Sequence, residues 1–243
     1  MSSEGPDFYD EDAVFATYMA RRHGSDSPNE TLEKPVLLEL VGPLAGQRIL
    51  DLGCGDAAFG REALAQGCQT YVGVEGSRKM VAAARETLAG TSGEAVHANI
   101  ATWDYPRGAF SLVVSRLALH YLADLPATVA NVWETLTPGG RFVFSVEHPV
   151  ITSCARGWQS GPRQDWLVDN YFETGLRETS WMGGNVIKYH RTVEDYFMAV
   201  QQAGFVVGSL RESHPRREWF ANEETYQRRK RLPLFLFLAG IKR

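Results

Sequence analysis

Hydrophobic and polar residues follow two different periods along the chain, and the two periods alternate. Short apolar runs, typical of buried strands, are followed by stretches in which apolar residues return every three or four positions, typical of amphipathic helices. The predicted strands span 47–52, 69–75, 94–100, 110–119, 141–149, 205–213 and 232–243. The predicted helices span 11–23, 31–41, 57–66, 77–89, 125–136 and 192–204. Strands that alternate with helices indicate a doubly wound α/β sheet.

Two parts of the chain depart from this alternation. Two predicted helices precede the first strand, and an aromatic-rich, glycine-rich segment follows the fifth strand. We therefore expect one α/β domain with an N-terminal helical part (1–44), a core (45–148), an insertion (149–191) and a C-terminal helix with two strands (192–243). The last two strands are expected to pair as an antiparallel hairpin. The seven-stranded sheet would then be mostly parallel, with an antiparallel last strand.

The composition of the chain argues against several classes of protein. Its 243 residues suffice for one domain with a full core, and a formal net charge of -4 does not suit a surface for nucleic acid. The basic run RRKR at 228–231 is predicted to be a solvated strand flank. Three cysteines without the spacing of a disulfide framework indicate a reducing compartment. The acidic N-terminus does not resemble a signal peptide, and the apolar stretch LPLFLFLAGI is too short to cross a bilayer. We expect a soluble, cytoplasmic protein that does not bind membranes.

The stretch ILDLGCGDAAFG at 49–60 carries the most specific chemistry. A glycine-rich turn after a strand indicates a nucleotide-like ligand, because the backbone can approach it closely. A carboxylate at Asp51 would repel a pyrophosphate, Ala58 replaces the third glycine of the dinucleotide pattern, and no P-loop pattern occurs. The acid instead suits a ligand with a cation and a neutral ribose. S-adenosylmethionine, with its ammonium and sulfonium, is such a ligand.

The next two strands end in residues that suit the same ligand. Glu75 ends the second strand, where a carboxylate can accept both ribose hydroxyls, although an acid that favours the start of a helix would occupy the same position. Asn99 and Ile100 end the third strand. The amide of Asn99 can hydrogen-bond the adenine edge while Ile100 packs on its face; the alternative is an Asn that only forms a turn.

With these residues the chain resembles the class I S-adenosylmethionine-dependent methyltransferases of the small-molecule type. ILDLGCGDAAFG resembles their first motif, VGVEGS the second, HANI the third, and SRLALHYLADL with TPGGRFVFSVEHP the later ones, so that the resemblance covers nearly all of residues 10–243. It implies a Rossmann-like fold, S-adenosylmethionine as methyl donor, S-adenosylhomocysteine as product, and no metal. Two positions depart from the family pattern. Asn99 stands where Asp is more usual, and Ala57 replaces the common third glycine, which we expect to be tolerated at a helix start.

The resemblance also assigns residues of this chain to the cosubstrate. The glycine turn would wrap the methionine part, Glu75 would take the ribose, and Ser115 would line the site after the fourth strand. Tyr18 and Arg22 on the entry helix resemble lid residues that reach the cosubstrate carboxylate, although an ordinary amphipathic helix would look the same. The full expected set is Tyr18, Arg22, Asp51, Gly53, Cys54, Gly55, Glu75, Gly76, Asn99, Ile100 and Ser115.

Candidates for catalysis follow the fourth and fifth strands. Alignment supplies much of the acceleration in methyl transfer, and a base is needed only if the acceptor must lose a proton. His120 is the candidate base because the ordinary pKa of histidine suits proton transfer; the alternative is a structural histidine bonded to a loop carbonyl. His148 either contacts the acceptor or braces a loop. Arg116 is expected to present an unpaired cation, and VVSRLALH resembles a stretch of the aromatic C-methyltransferases of aminocoumarin biosynthesis, which implies that Arg116 holds a phenolic or anionic oxygen.

The insertion is expected to form the lid over a flat or apolar acceptor, because aromatic rings bind such molecules by stacking and burial. Its expected acceptor-binding residues are Trp158, Tyr171, Trp181 and His190. Two alternatives remain open: a satellite core formed by the aromatic residues, and a His190 that only pins the insertion to the body of the domain. The oligomeric state is expected to be a monomer or a homodimer.

The function predicted from the sequence is methyl transfer to a small-molecule acceptor, and the expected acceptor is an aromatic, phenolic or indolic metabolite. The alternatives on the same fold are a nucleic-acid or protein methyltransferase and a non-catalytic S-adenosylmethionine-binding protein. SRLA stands where nucleic-acid enzymes of this fold carry N-P-P-[YFW], and basic surface is lacking. A dehydrogenase is disfavoured by Asp51 and Ala58.

Overall fold

The structure, a computed structural model, describes residues 4–22, 24, 27–154 and 165–243. Its centre is a seven-stranded sheet in the order β3-β2-β1-β4-β5-β9-β8, and a separate two-stranded hairpin, β6-β7, lies beside it. The strands are β1 Arg48–Leu52, β2 Thr70–Glu75, β3 Glu94–His97, β4 Phe110–Arg116, β5 Leu136–Glu147, β6 Gly175–Trp181, β7 Gly184–His190, β8 Val206–Glu212 and β9 Phe235–Ile241.

Helices cover both faces of the seven-stranded sheet. They are α1 Gly5–Asp10, α2 Asp12–Arg22, α3 Lys34–Val41, α4 Ala58–Ala65, α5 Arg78–Leu88, α6 Leu125–Thr135, α7 Pro149–Thr152, α8 Val193–Gln202 and α9 Glu223–Arg229. Alternate strand residues enter different cores because successive side chains point to opposite faces. Ile49 packs in the core with α3 and α4, whereas Leu50 packs in the core with α6 and α8.

The topology confirms the predicted fold class. Strands β1 to β5 are parallel, β9 runs antiparallel to β5, and β8 pairs antiparallel with β9. The strand order reverses between β1 and β4, which are neighbours in the sheet. At such a switch point the loops after the two strands separate and leave a crevice at their carboxyl ends, where ligands of open α/β sheets bind.

Several local predictions are also confirmed. Ser77 caps α5 by accepting a hydrogen bond from the Met80 amide, and Thr192 with Asp195 forms a capping box at α8. Most of the stretch LPLFLFLAGI forms the buried strand β9.

Among the described residues, no helix is long and apolar enough to cross a membrane. The basic run at 228–231 does not flank a strand. It covers the last two residues of helix α9 and the turn that follows.

The helical part at the N-terminus differs from its prediction in two respects. The helix predicted over 11–23 is preceded by a separate short helix, α1, and α3 is preceded by a π-helical turn, Asn29–Glu33. Phe8 of α1 is buried with Val186 of the hairpin, and a Cβ on Gly184 would lie 2.8 Å from its ring. Glycine at 184 therefore lets α1 and the hairpin pack together above the carboxyl ends of the sheet.

A second close approach shapes the end of β1. Tyr71 of β2 is buried and donates a hydrogen bond from its hydroxyl to Asp51 Oδ2 over 2.8 Å. A Cβ on Gly60 of α4 would lie 2.2 Å from Tyr71 Cζ, and one on Gly73 would lie 2.7 Å from Cys54 Sγ. Glycine at position 60 therefore provides the space for the ring that holds the Asp51 side chain.

Replacing Gly60 with Ala should displace Tyr71 and loosen Asp51. We expect the free energy of unfolding to fall by about 1–3 kcal/mol, the usual cost of overpacking a core. Gly208→Ala is the matched control, because a Cβ there has no atom closer than 3.8 Å. Urea denaturation measures both, and equal losses in the two variants would contradict the packing argument.

Candidate active site

A cavity of about 1180 Å³ opens at the carboxyl ends of the strands. The N-terminal helices and the β6-β7 hairpin form the rest of its wall. All but one of the residues predicted for the cosubstrate line it: Tyr18, Arg22, Asp51, Gly53, Cys54, Gly55, Glu75, Gly76, Asn99 and Ile100. The exception is Ser115, which is buried beneath the cavity and donates its hydroxyl to the Leu52 carbonyl over 2.8 Å. This contact holds β4 to β1 and does not bring the hydroxyl to a ligand.

The turn after β1 has a left-handed backbone at alternate positions. Gly53, Gly55 and Ala57 have φ values of 74°, 58° and 55°. A side chain at Gly53 would clash with Ala118, since a Cβ would lie 2.4 Å from the Ala118 Cβ. Ala57 is fully buried and begins helix α4, so the alanine is accommodated at the helix start as expected, in a conformation that glycine adopts at lower cost.

Asp51 carries an unusual carboxylate. The residue is 1 % exposed, Oδ2 accepts the Tyr71 hydrogen bond, and Oδ1 has no hydrogen-bond partner among the described residues. Burial raises the pKa of Asp51 from 3.8 to about 6, even though the Tyr71 hydrogen bond acts in the opposite direction. An unpaired buried carboxylate oxygen is costly, and an ammonium group against the cavity wall would satisfy it.

Glu75 organises the backbone on both sides of the turn. Its carboxylate oxygens accept hydrogen bonds from the Gly55 and Ser77 amides, each over 2.9 Å. Burial raises its pKa despite these hydrogen bonds. The predicted alternative, a helix-start acid, describes part of its role, because Ser77 begins α5. The carboxylate nevertheless lines the cavity, and its remaining lone pairs can accept ribose hydroxyls.

Asn99 and Ile100 follow β3, the strand next to β2, which ends in Glu75. Asn99 Oδ1 accepts a hydrogen bond from the Ala101 amide over 2.9 Å, which is the turn-forming role that the sequence left open. This contact orients the side chain and leaves its NH₂ group, a donor, for a ring nitrogen. Both residues line the cavity, and Ile100 also packs in the core beneath it.

Arg22 lies over the glycine turn. Its guanidinium pairs with Asp56 over 2.9 Å and donates to the Tyr18 hydroxyl, and a Cβ on Gly55 would lie 3.1 Å from its Nη1. The entry helix therefore places a cation over the glycine turn at the cavity wall. A carboxylate of a bound ligand would meet Arg22 there.

The expectation of an unpaired cation at Arg116 is wrong. Glu33, from the π-helical turn, is fully buried, and its carboxylate receives two hydrogen bonds from Arg116 Nε, each 3.2 Å long, and a shorter one from Nη2. Ser145 of β5 donates to the same carboxylate over 2.7 Å. Arg116 reaches the cavity wall but its charge is compensated, because a residue 83 positions earlier folds back onto β4.

His120 lines the cavity and is buried in the turn after β4. Burial lowers its pKa from 6.5 to about 4, although the Glu147 carboxylate acts in the opposite direction. The imidazole is therefore neutral near pH 7, where it can accept a proton only as a weak base. Its Nδ1 faces the Glu147 amide at 3.5 Å, so the carbonyl contact of the alternative interpretation is not the one found here.

The other two candidate histidines, His148 and His190, point away from the cavity. His148 accepts from the Val150 amide through Nδ1 and contacts Glu212 through Nε2 at 2.9 Å, so it braces α7 against β8. His190 lies between the Thr152 hydroxyl, 2.8 Å from Nδ1, and the Tyr171 carbonyl, 2.9 Å from Nε2. Neither lines the cavity, because their ring nitrogens face the insertion and the neighbouring strand. His190 pins the insertion, as its alternative interpretation held.

The aromatic residues of the insertion divide in the same way. Trp181 lines the cavity, whereas Tyr171 does not and its hydroxyl accepts from the Val193 amide. Trp158 lies outside the described residues. Trp166, which the prediction did not include among the acceptor-binding residues, lines the cavity and donates to the Val150 carbonyl over 2.9 Å.

Sequence reasoning missed a charged group at this end of the cavity. Lys188 of β7 is 2 % exposed and pairs with Glu147, the last residue of β5, over 2.7 Å. Tyr9 of α1 lies 3.0 Å from the Tyr121 hydroxyl at the same wall. Glu147 stands beside His148 in the quoted motif, so its position at a strand end could have indicated it. The register of the hairpin that brings Lys188 to it is not visible in the sequence.

The fold agrees with comparisons to known proteins. Residues 49–140 match the model of a methyltransferase domain family. A solved structure of an S-adenosylmethionine-dependent methyltransferase from Mesorhizobium loti is 32% identical, with a TM-score of 0.80, over 90% of this chain and 100% of its own. The chain belongs to the class I S-adenosylmethionine-dependent methyltransferases.

Two further relatives extend the comparison of this methyltransferase. A solved structure from Listeria monocytogenes is 31% identical over 87% of this chain and 96% of its own, with a TM-score of 0.81. The nocamycin O-methyltransferase of Saccharothrix syringae is 29% identical over 73% of this chain and 65% of its own length.

Breaking the Glu33–Arg116 pair should destabilise the methyltransferase strongly. Glu33→Gln leaves a guanidinium buried without its counter-charge, and we expect the free energy of unfolding to fall by about 3–5 kcal/mol. Glu39→Gln is the matched control, because Glu39 pairs with Arg211 and Arg216 at an exposed surface, where such pairs contribute less than about 1 kcal/mol. Urea denaturation measures the free energy of unfolding of both variants. If Glu33→Gln loses no more than the control, the Glu33–Arg116 pair does not stabilise the fold as argued.

Proposed function

We propose that this methyltransferase transfers the methyl group of S-adenosylmethionine to a small, aromatic or phenolic acceptor held under the insertion. The observation that carries the proposal is the unpaired, buried Oδ1 of Asp51 at the glycine turn, in the same cavity as the Glu75 carboxylate. An ammonium and a pair of ribose hydroxyls, presented by one molecule, would satisfy these two carboxylates together.

Each part of the cosubstrate site has its own task. Asp51 would hold the ammonium, Arg22 would hold the ligand carboxylate by sharing its contacts with Asp56, and Glu75 would accept the ribose hydroxyls. The Asn99 amide would donate to the adenine ring above Ile100. Bound S-adenosylmethionine supplies an activated methyl group on a sulfonium, and the residues of this chain align the acceptor with it.

Two features support a small, flat acceptor. Trp166, Trp181 and Tyr121 line the same cavity, and aromatic rings bind flat molecules by stacking and burial. The relative that methylates nocamycin is, by its name, an enzyme of a small molecule. His120 is neutral at this wall, and its Nε2–H would donate a hydrogen bond to the acceptor, because Nδ1 already accepts from the Glu147 amide. These features favour a small molecule over a nucleic acid or protein acceptor.

Calorimetry and thermal denaturation with S-adenosylhomocysteine test the cosubstrate. We expect S-adenosylhomocysteine to bind and raise the melting temperature, whereas NAD should leave it unchanged. Glu75→Ala should weaken binding by about 10- to 100-fold, because hydrogen bonds to a charged group are lost. Glu86→Ala, an exposed position on α5, is the control that should bind as the wild type does. Absence of binding by the wild type would refute the proposed function.

The acceptor class requires a second measurement. Phenols, indoles, amines and carboxylic acids are incubated with the enzyme and S-adenosylmethionine, and formation of S-adenosylhomocysteine is followed. Turnover of an aromatic compound supports the proposal. If the protein binds the cosubstrate but methylates only a nucleic acid or a protein, the family assignment stands and the proposed small acceptor is rejected.

Binding of S-adenosylhomocysteine should weaken as the pH falls through the pKa of Asp51. In the free protein that pKa is raised to about 6, so the side chain is increasingly protonated below this pH. A ligand ammonium requires the carboxylate, so binding must release that proton, and Kd should rise by about tenfold per pH unit below pH 6. Asp51→Asn should bind S-adenosylhomocysteine weakly, with a Kd that does not change with pH. A constant Kd for the wild type between about pH 7 and pH 5 would contradict the role of Asp51 in binding.

A further inference from the structure

Three polar side chains from separate elements meet at the acceptor end of the cavity. Glu147 ends β5, His120 lies in the turn after β4, and Lys188 comes from β7 of the insertion. Lys188 Nζ lies 2.7 Å from Glu147 Oε1, 5.9 Å from the centre of the Tyr121 ring and 5.4 Å from that of Trp181. The insertion thus contributes a cation to the wall as well as aromatic rings.

Four of the cations that line the cavity pair with carboxylates. Lys188 pairs with Glu147, Arg116 with Glu33, Arg22 with Asp56, and Lys34 with Glu62. An anionic acceptor bound against any of these four cations would have to separate its pair inside a poorly solvated site, which costs more than binding a neutral molecule. The pairs therefore disfavour a free carboxylate on an acceptor that lies beside Lys188.

Glu147 has unused capacity to accept hydrogen bonds. Within the described part of the chain, its carboxylate receives one hydrogen bond, from Lys188 to Oε1, whereas a carboxylate offers about four lone-pair sites on two oxygens. Its side chain is 19 % exposed and it lines the cavity. Burial raises its pKa, but the attraction of Lys188 outweighs this, so the pKa is lowered and the group stays ionised.

His120 cannot offer an equal alternative. The Glu147 amide hydrogen points at His120 Nδ1, so in the neutral ring the hydrogen resides on Nε2, which is then a donor. Of the three side chains, Lys188 and His120 therefore present hydrogens, and Glu147 alone presents an anionic acceptor. A molecule that brings its own N–H or O–H to this wall finds one matching partner.

We propose that Glu147, held by Lys188, receives a hydrogen bond from an O–H or N–H group of the acceptor, and thereby selects neutral or cationic aromatic hydrogen-bond donors over carboxylates. This inference rests on the proposed function, because it assumes an acceptor beside the cosubstrate. It makes Glu147 an acceptor-binding residue and Lys188 a positioning residue. The insertion then covers the acceptor and, through Lys188, also positions the Glu147 carboxylate of β5 that selects it.

The test measures binding of matched probes to the protein saturated with S-adenosylhomocysteine, by ligand-observed NMR. The probes are phenol, indole and tryptamine as donors, and benzoate and indole-3-carboxylate as anions. We expect the donors to bind and the carboxylates to bind at least about tenfold more weakly, the factor that one charged hydrogen bond supplies. Glu147→Gln should weaken the donors by a similar factor while leaving S-adenosylhomocysteine binding unchanged.

Two further variants keep the outcome interpretable. Glu147→Gln leaves Lys188 buried without its counter-charge, so the double variant Glu147→Gln with Lys188→Met removes both charges and should fold while still losing the donors. Glu178→Gln, at an exposed position on β6, is the matched control and should behave as the wild type. In addition, once the screen has found a substrate, Glu147→Gln should raise the KM of that acceptor and leave the KM of S-adenosylmethionine unchanged.

The possible failures are distinct. If the wild type does not bind S-adenosylhomocysteine, the proposed function fails and this inference with it. If S-adenosylhomocysteine binds, the inference alone is overturned by any of three results: carboxylates that bind as well as donors, donor binding that survives in both Glu147 variants, or no binding of any probe.

Discussion

The cost of burying the carboxylate of Asp51 governs the architecture of this site. The residue ends β1 at the switch point of the sheet, where the walls of the crevice exclude water from one of its oxygens. Tyr71 satisfies the other oxygen, and glycine at position 60 makes room for the Tyr71 ring. The fold therefore maintains a carboxylate whose remaining desolvation cost a bound cation would offset, and this requirement connects packing in the core to ligand choice.

A different principle applies at the acceptor end, where charges are balanced within the protein. The cations of Arg116 and Lys188 each have a carboxylate partner that comes from a distant part of the chain. Breaking such a pair is costly, so both pairs also fix the elements that carry them. The Glu33 pair holds the N-terminal segment against β4, and the Glu147 pair holds the insertion against β5. The cover over the cavity is thus fastened by the groups that line it.

Packing between the two covering segments completes the enclosure. Phe8 of α1 is buried against the hairpin, and Tyr9 contacts Tyr121 in the turn after β4. Asp10 accepts hydrogen bonds from the Ser77 hydroxyl and the Lys79 amide, so α1 is also anchored to the start of α5. These contacts hold α1 between the hairpin and the start of α5.

Local patterns in the sequence determined the strands, most helices, the glycine turn and the polar residues that follow β1, β2 and β3. These features depend on neighbours within a few residues, so local periodicity predicts them. Because parallel strands bring their carboxyl ends to one edge of the sheet, Asp51, Glu75 and Asn99 could be placed together from the sequence. Only the tertiary structure decided which charges are paired. Glu33 reaches Arg116 across 83 positions and Lys188 reaches Glu147 across 41, and no local period encodes such contacts. For the same reason the direction of His148 and His190 followed from packing of the insertion, which the sequence pattern does not specify.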